Sequence, residues 1–598
     1  MPRRRTKQRG LRLWPVGPVL AAAFTAALLV AAAVFYTGWD LLGARDVKQE
    51  HRIDSKTLFD LVKLAFGAVA GAGALVALVV AYRRQRVDED GALRDATRLH
   101  TERFTTAVSQ LGDDSAAVRL GGVHALAGLA DDAPTRELRQ TCIDVLCAYL
   151  RLPYTAKTDL PADDAAARHT YLSLREVRHT VIRLIRDHLR LEPEHAHSWQ
   201  GHDFDFTDVT FDGGDFSAAT FSGGQVSFNR ASFSGGKVDF YRASFSGGKV
   251  DFYRAAFSGG AVHFDQASFS GGAVHFDGAS FSSGAVHFDG ASFSSGKVSC
   301  NSASFSGGTV HFKGATFSGG ALSFDGATFS GGRVHFRTAR FSGGTVSFDV
   351  ATFSDGMVDF GVAEFSGSTV NFDEATFSGS TVNFNEATFS GGTVNFGVAT
   401  FCAGTVYFRT AEFSGGTVSF VVATFSGGTV DFGMAQFYGG TVHFYTATFS
   451  GSTVNFDEAT FSRSTVHFDG ATFSNGTVNF DEATFSGGTV HFRMATFSGG
   501  TVDFDTARFS GGTVDFGVAE FSGSTVNFDG ATFFDGTVNF DGATFFDGTV
   551  NFDRATFSGG TVDLTDAQGV APPGLVPAAG TPVPPGLTLP AAWQPTGP

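Results

Sequence analysis

Phenylalanine recurs along residues 221–557 at spacings that alternate between seven and five. A typical copy of the repeated phrase is ATFSGGTVNFGV, Ala387 to Val398. An Ala or Val stands two residues before each Phe, and side chains two apart share one face of an extended strand. The Ser-Gly-Gly segments supply corners, because Gly accepts positive φ and Ser bonds to its own backbone. This fixed period predicts a β-solenoid over residues 199–566 with the apolar positions inside. The predicted core begins with Phe221, Phe228, Phe233, Phe240, Phe245 and Phe252.

The number of residues in one coil is limited by the Phe rings that its interior must enclose. A 12-residue coil could hardly enclose two Phe rings, so we expect about 24 residues and four sides per coil. Each coil then buries roughly four Phe, and each Phe contributes about 1.5–3 kcal/mol. About 14 coils at about 4.8 Å would form a rod about 70 Å long. Cys300 and Leu564 fall on Phe positions, and both are apolar enough to lie inside.

The start of the array has a simpler spacing. Phe206, Phe211, Phe216 and Phe221 stand five residues apart in the run FTDVTFDGGDFSAATF. This pattern resembles the pentapeptide-repeat family, which has a central Leu or Phe with Ala two residues earlier. The resemblance implies a right-handed quadrilateral β-helix with those two positions pointing inward. The rest of the array departs from the family, because every second unit carries two extra residues and the repeat becomes 5+7.

Two apolar runs near the N-terminus predict a two-pass membrane anchor. Residues 1–12 are basic, 13–39 form an uncharged run long enough to span a bilayer, and 61–82 form a second span after a short loop, 40–60. Basic clusters flank the outer ends of both spans, so the positive-inside rule places both termini and the solenoid in the cytoplasm of a cell-membrane protein. The lipid bilayer is therefore an expected partner. Gly67 and Gly71 form a GxxxG arrangement that fits either a homodimer contact or packing of the two spans against each other.

Residues 83–198 are predicted to form a small α-helical domain that caps the first coil, since an open solenoid end exposes unpaired backbone. The stretch after Asp113 resembles a HEAT-like helical hairpin. Residues 103–104, 110–112 and the VRLGG and AL of 118–126 resemble the juxtamembrane segment of bacterial, actinobacterial-type membrane-bound pentapeptide-repeat proteins. After Asp566, residues 567–598 are rich in Pro and are predicted to be disordered.

Charge and composition reduce the number of possible functions. The net charge is −16, and acidic residues concentrate in the array. Four Cys are too few for a disulfide framework, so reduced thiols are expected. No motif for catalysis or for a cofactor stands apart from the repeat. The prediction is a non-catalytic, membrane-anchored scaffold that binds unidentified proteins.

Two other functions remain open. Some pentapeptide-repeat proteins are acidic rods that occupy the DNA groove of gyrase, so by resemblance the array could mimic DNA toward a topoisomerase, without itself binding nucleic acid. The candidate acidic surface is Asp503, Asp515, Asp529, Asp541 and Asp553. Threonine columns that include Thr376, Thr388 and Thr400 suggest a surface that orders ice or water, although Arg340 and Glu364 interrupt them.

Histidines offer two sets of candidate metal ligands. One set lies at the junction before the array: Glu192, Glu194, His195, His197 and His202. The other shares one outward register of the array, where a variable surface column is the favoured interpretation over a metal-binding or pH-sensitive ladder. Its members are His263, His275, His287, His311, His335, His443, His467 and His491.

Overall fold

The protein is described by a computed structural model that divides into two units, 1–103 and 104–598. The described residues are 21, 24–25, 29, 32–33, 36–37, 40, 54–157, 160–161, 163–294, 296–571, 576, 582–583 and 585–594.

In the described part of the chain, one helix, α1 (Ser55–Leu111), is long and apolar enough to cross a membrane. It contains the second predicted span, 61–82, with Gly67 and Gly71. The first predicted span, 13–39, lies largely outside the described residues and stays a prediction, as does the two-pass topology. The sequence places a boundary at residue 83, but the helix continues to Leu111 because the charged residues there are helix formers and no Pro interrupts them.

Three further helices form a compact domain ahead of the solenoid. They are α2 (Ala116–Asp131), α3 (Arg136–Leu150) and α4 (Ala165–Leu189). The second Gly of the VRLGG motif, Gly122, allows close packing, since a Cβ there would lie 2.6 Å from the Leu111 amide nitrogen. Helices α3 and α4 contact the first strands of the solenoid, as a cap requires.

The solenoid consists of four parallel sheets, and the chain visits them in the order 1, 2, 3, 4 in every coil. A typical coil comprises Thr417–Ser419, Thr424–Ser426, Thr429–Asp431 and Gln436–Tyr438. Sheet 1 begins with Phe204–Asp205 and ends with Leu587–Thr588, and sheet 2 begins with Thr210–Phe211 and ends with Gln568–Gly569. Sheet 3 begins with Gly214–Asp215 and ends with Thr549–Asn551, and sheet 4 begins with Thr220–Ser222 and ends with Thr556–Ser558.

Strand pairing confirms the predicted coil length. Phe245 pairs with Phe269, an offset of 24 residues, and this offset continues along the array. The first coil is shorter: Phe211 pairs with Phe233, an offset of 22, because the five-residue spacing there lacks one two-residue insertion. The solenoid has about 16 turns, two more than expected. The handedness stays a prediction.

The C-terminal segment differs from the predicted disorder. Leu587–Thr588 pairs with the strand that contains Val562 and continues sheet 1. Trp593 is buried, contacts the Phe545 ring edge-on at 5.9 Å, and donates from Nε1 to the Gly569 carbonyl at 3.3 Å. The physical reason is that the last coil offers free backbone groups and an apolar face, which this segment covers.

Candidate interaction surfaces of the solenoid

In a typical three-residue strand of the array, the middle side chain is inside and the two flanking side chains are outside. The six predicted core residues, Phe221, Phe228, Phe233, Phe240, Phe245 and Phe252, are all at most 4% exposed. Their rings stack directly on equivalents one coil away, for example Phe228 on Phe252 at 4.6 Å. Cys300 and Leu564 are also buried. The candidate surfaces are therefore the outward columns, which repeat every 24 residues.

The 24-residue coil separates residues that lie 12 apart in sequence. Thr376 and Thr400 lie in sheet 2, whereas Thr388 lies in sheet 4. Both interruptions of the threonine pattern, Arg340 and Glu364, fall in sheet 4. Sheet 2 carries an uninterrupted outward column: Thr328, Thr352, Thr376, Thr400, Thr424, Thr448, Thr472 and Thr496.

The structure does not bring the five candidate acids to one surface. Asp503 lies in sheet 3 and Asp515 in the opposite sheet 1. Asp529 and Asp553 lie in the turns from sheet 3 to sheet 4, and Asp541 lies in a turn from sheet 1 to sheet 2.

Three of these carboxylates, Asp503, Asp515 and Asp529, are bonded within the array. Asp515 accepts hydrogen bonds from the Asn539 side-chain amide at 3.0 Å and from the Gly517 amide at 2.9 Å. Burial acts to raise the pKa of Asp515, but His491, Gly517 and Arg493 outweigh it and lower that pKa. Asp503 accepts from Asn527 at 2.9 Å in the same manner. Hydrogen bonds from neighbouring coils therefore already occupy part of the accepting capacity of Asp503 and Asp515.

Asp529 and Asp553 belong to a continuous acidic column on the corner between sheets 3 and 4. We call it the acidic corner, and it comprises Asp457, Asp481, Asp505, Asp529 and Asp553. Burial raises the pKa of Asp505, and the nearby Asp481, Asp503 and Asp529 raise it further. Arg554 donates to Asp529 from Nε at 2.8 Å and partly offsets this charge. The predicted acidic surface includes only Asp529 and Asp553 of this column, whose signal is the 24-residue spacing of Asp.

The eight array histidines divide between two opposite sheets. Sheet 3 carries four in consecutive coils, with ring centroids 4.6, 4.7 and 5.0 Å apart: His263, His287, His311 and His335. Sheet 1 carries His275 and a second ladder with spacings of 5.2 and 4.8 Å: His443, His467 and His491. Burial and a neighbouring imidazole lower the pKa of His287, His311 and His443.

One part of the sheet 3 histidine ladder, which runs from His263 to His335 and is called the first ladder, could hold a metal ion. His263 Nδ1 lies 3.0 Å from Asp265 Oδ2. Ligand atoms of His263, Asp265 and His287 all lie within 4.8 Å of one another. Among the described residues this is the one such group of three His, Cys, Asp or Glu side chains.

Of the junction histidines, only His202 is buried, and it packs against the helical domain. His202 bonds Gln140 Oε1 through Nδ1 at 2.9 Å. Burial, with Arg136 and Arg139 nearby, lowers the pKa of His202 to about 4. Glu192, Glu194, His195 and His197 are exposed.

A cavity of about 850 Å³ lies between α4 and the first coils, and sequence reasoning missed it. Its wall includes Asp212, which accepts from the Tyr154 hydroxyl at 2.7 Å and the Tyr171 hydroxyl at 2.6 Å. Burial acts to raise the pKa of Asp212, but contacts with His179 and the two tyrosines lower it to about 2. No local motif could have indicated this cluster, because its members come from separate segments.

Comparison with known proteins agrees with the repeat geometry. Residues 301–352 match the family described as pentapeptide repeats in nine copies. No curated protein matches the chain. The four parallel sheets show a β-solenoid, and residues 301–352 within it are similar to pentapeptide repeats.

Proposed function

We propose that the protein is a membrane-anchored, non-catalytic scaffold whose solenoid binds partner proteins on the cytoplasmic side. The observation that carries the proposal is helix α1, in whose apolar stretch no described side chain is buried and which precedes a solenoid of about 16 turns in the same chain. An exposed apolar stretch of this length requires a bilayer or another apolar environment. Pentapeptide-repeat solenoids generally mediate protein interactions.

The acidic corner supplies the chemistry for a protein partner. Five carboxylates in consecutive coils produce a line of negative charge about 19 Å long at about 4.8 Å per coil. Such a line favours a partner with a complementary basic surface and accelerates its association at low ionic strength.

The natural cysteines allow a direct test of membrane topology. Cys402 is exposed, whereas Cys142, Cys147 and Cys300 are buried. A membrane-impermeant maleimide should label Cys402 only after cells are permeabilised. A Cys402→Ser, Asp54→Cys variant should be labelled in intact cells, because residue 54 belongs to the predicted outer loop. Labelling of Cys402 in intact cells would contradict the cytoplasmic placement, and release of the chain by alkaline extraction would contradict the anchor.

Photo-crosslinking tests the interaction surface. A crosslinking residue at Thr506, exposed beside Asp505, should capture one partner at the membrane in a salt-sensitive manner. The matched control places the same residue at Val350, an exposed position with the same turn geometry on the opposite corner. Equal capture at both positions would show that the acidic corner is not the docking surface.

The acidic corner also favours a second function, mimicry of DNA toward a topoisomerase such as gyrase. The full chain in detergent should then inhibit gyrase supercoiling, less so at higher salt. Changing the five Asp of the acidic corner to Asn should abolish inhibition. The matched control removes the same charge from the opposite corner by changing Asp325, Asp349, Asp373, Asp469 and Asp541 to Asn. Absence of inhibition at high micromolar concentration would leave the scaffold proposal alone.

A further inference from the structure

We infer that His263, Asp265 and His287 form a binding site for a divalent transition-metal ion on the outer face of sheet 3. This site is separate from the acidic corner and does not depend on the proposed scaffold function. Imidazole nitrogen and carboxylate oxygen together suit Zn²⁺, Ni²⁺, Co²⁺ and Cu²⁺.

The geometry is close to that of a bound ion. The three ligand atoms lie within 4.8 Å of one another, and His263 Nδ1 and Asp265 Oδ2 are 3.0 Å apart. Zinc bonds of about 2.0–2.1 Å in a tetrahedral site separate ligand atoms by about 3.3 Å. Small side-chain rotations of His287 therefore suffice, and the parallel strands hold His263 and His287 in register. Three protein ligands leave a fourth position for water or a partner's side chain.

The charges in the His263 column and in the neighbouring Asp265 column favour cation binding at the His263 end of the sheet 3 histidine ladder. Asp239 precedes His263 in the His column. The next outward column carries Asp265 beside His263 and Asp289 beside His287. Two and three coils after Asp265 the same column carries Lys313 and Arg337, which repel a cation from His311 and His335. Lys237 lies nearby but is paired with Asp239 at 2.8 Å.

The second ladder provides an internal comparison. His467 Nδ1 lies 3.3 Å from Asp469 Oδ2, so one His–carboxylate pair is present. His443 stacks on Tyr445 at 5.1 Å, and Arg493 follows His491 with Nε 3.8 Å from Asp515. No third ligand in this described ladder comes within the distance found in the first. We expect weaker binding there.

The experiment uses the full chain in detergent with Zn²⁺, measured by calorimetry, and with Cu²⁺, measured by electron paramagnetic resonance. We expect one site per chain in which nitrogen ligands are visible in the Cu²⁺ spectrum. His287→Asn and Asp265→Asn should each weaken Zn²⁺ binding by at least tenfold. His467→Asn is the matched control and should leave this site unchanged.

Misfolding of the His→Asn variants would not explain weaker Zn²⁺ binding. Asn occupies the equivalent outward position in other coils, including Asn383 and Asn395, so His→Asn fits the strand. Binding that is unchanged in His287→Asn and Asp265→Asn would overturn the inference. Equal losses in His467→Asn would also overturn it, because the ion would not then distinguish the two ladders.

Discussion

Truncation of one inward Phe should destabilise the solenoid locally and strongly. Phe420 is fully buried, and its ring stacks between those of Phe396 and Phe444, each at a centroid distance of 4.8 Å. Phe→Ala removes this ring from two interfaces and leaves a cavity that the flat sheets cannot close. The expected loss in unfolding free energy is about 3–5 kcal/mol. Because each coil contacts only its neighbours, the loss should be confined to nearby coils.

Hydrogen exchange measured by mass spectrometry can resolve this effect coil by coil. A loss of about 3–5 kcal/mol corresponds to about two to nearly four orders of magnitude in protection. The matched control is Tyr438→Ala, which removes an aromatic ring that is 45% exposed on the outside of sheet 4. It should change stability by less than about 1 kcal/mol. Comparable losses from Phe420→Ala and Tyr438→Ala would refute the assigned register.

Three other perturbations test separate features. Val422 is exposed and has φ of 60°, so Val422→Gly should stabilise its coil by about 1 kcal/mol, measured by the same exchange method. Trp593→Ala should increase exchange around Phe545 and Gly569, whereas exposed Gln594→Ala should not, because the Trp593 side chain contacts both Phe545 and Gly569. Asp212 has a pKa lowered to about 2 from 3.8, so its contribution to stability is present above pH 4 and is lost as pH falls toward 2. The protection difference between wild type and Asp212→Asn should therefore shrink over that interval, and a constant difference would contradict the assigned pKa.

The solenoid was predictable because its sequence signal is redundant. Most inward Phe residues have an Ala or Val two residues earlier, Gly-rich corners recur in every repeat, and the volume of two Phe rings disfavoured the 12-residue coil. The exceptions Cys300 and Leu564 also follow the register. The helical cap was predictable from its hydrophobic spacing, and Thr135 accepts from the Leu138 amide at 3.3 Å as an N-cap.

Other features depended on contacts that no local pattern encodes. The tail is rich in Pro, but Trp593 finds a surface that exists only after the last coil has formed. The start of α4 at Ala165 has no clear sequence signal, because its first turns, AAARHT, have little apolar periodicity. The Asp212 cluster joins residues from the loop, α4 and the first coil.

The main physical lesson concerns the difference between the 12-residue repeat and the 24-residue coil. Neighbouring repeats point to opposite sides, so residues in one sequence register form two surfaces with separate neighbours. This division places His263 beside Asp265 and His287 in sheet 3, while His275 stands on the opposite sheet. It also assembles the acidic corner from every second repeat. A partner that binds one face therefore contacts only every second repeat. The intervening repeats can carry different side chains on the opposite face.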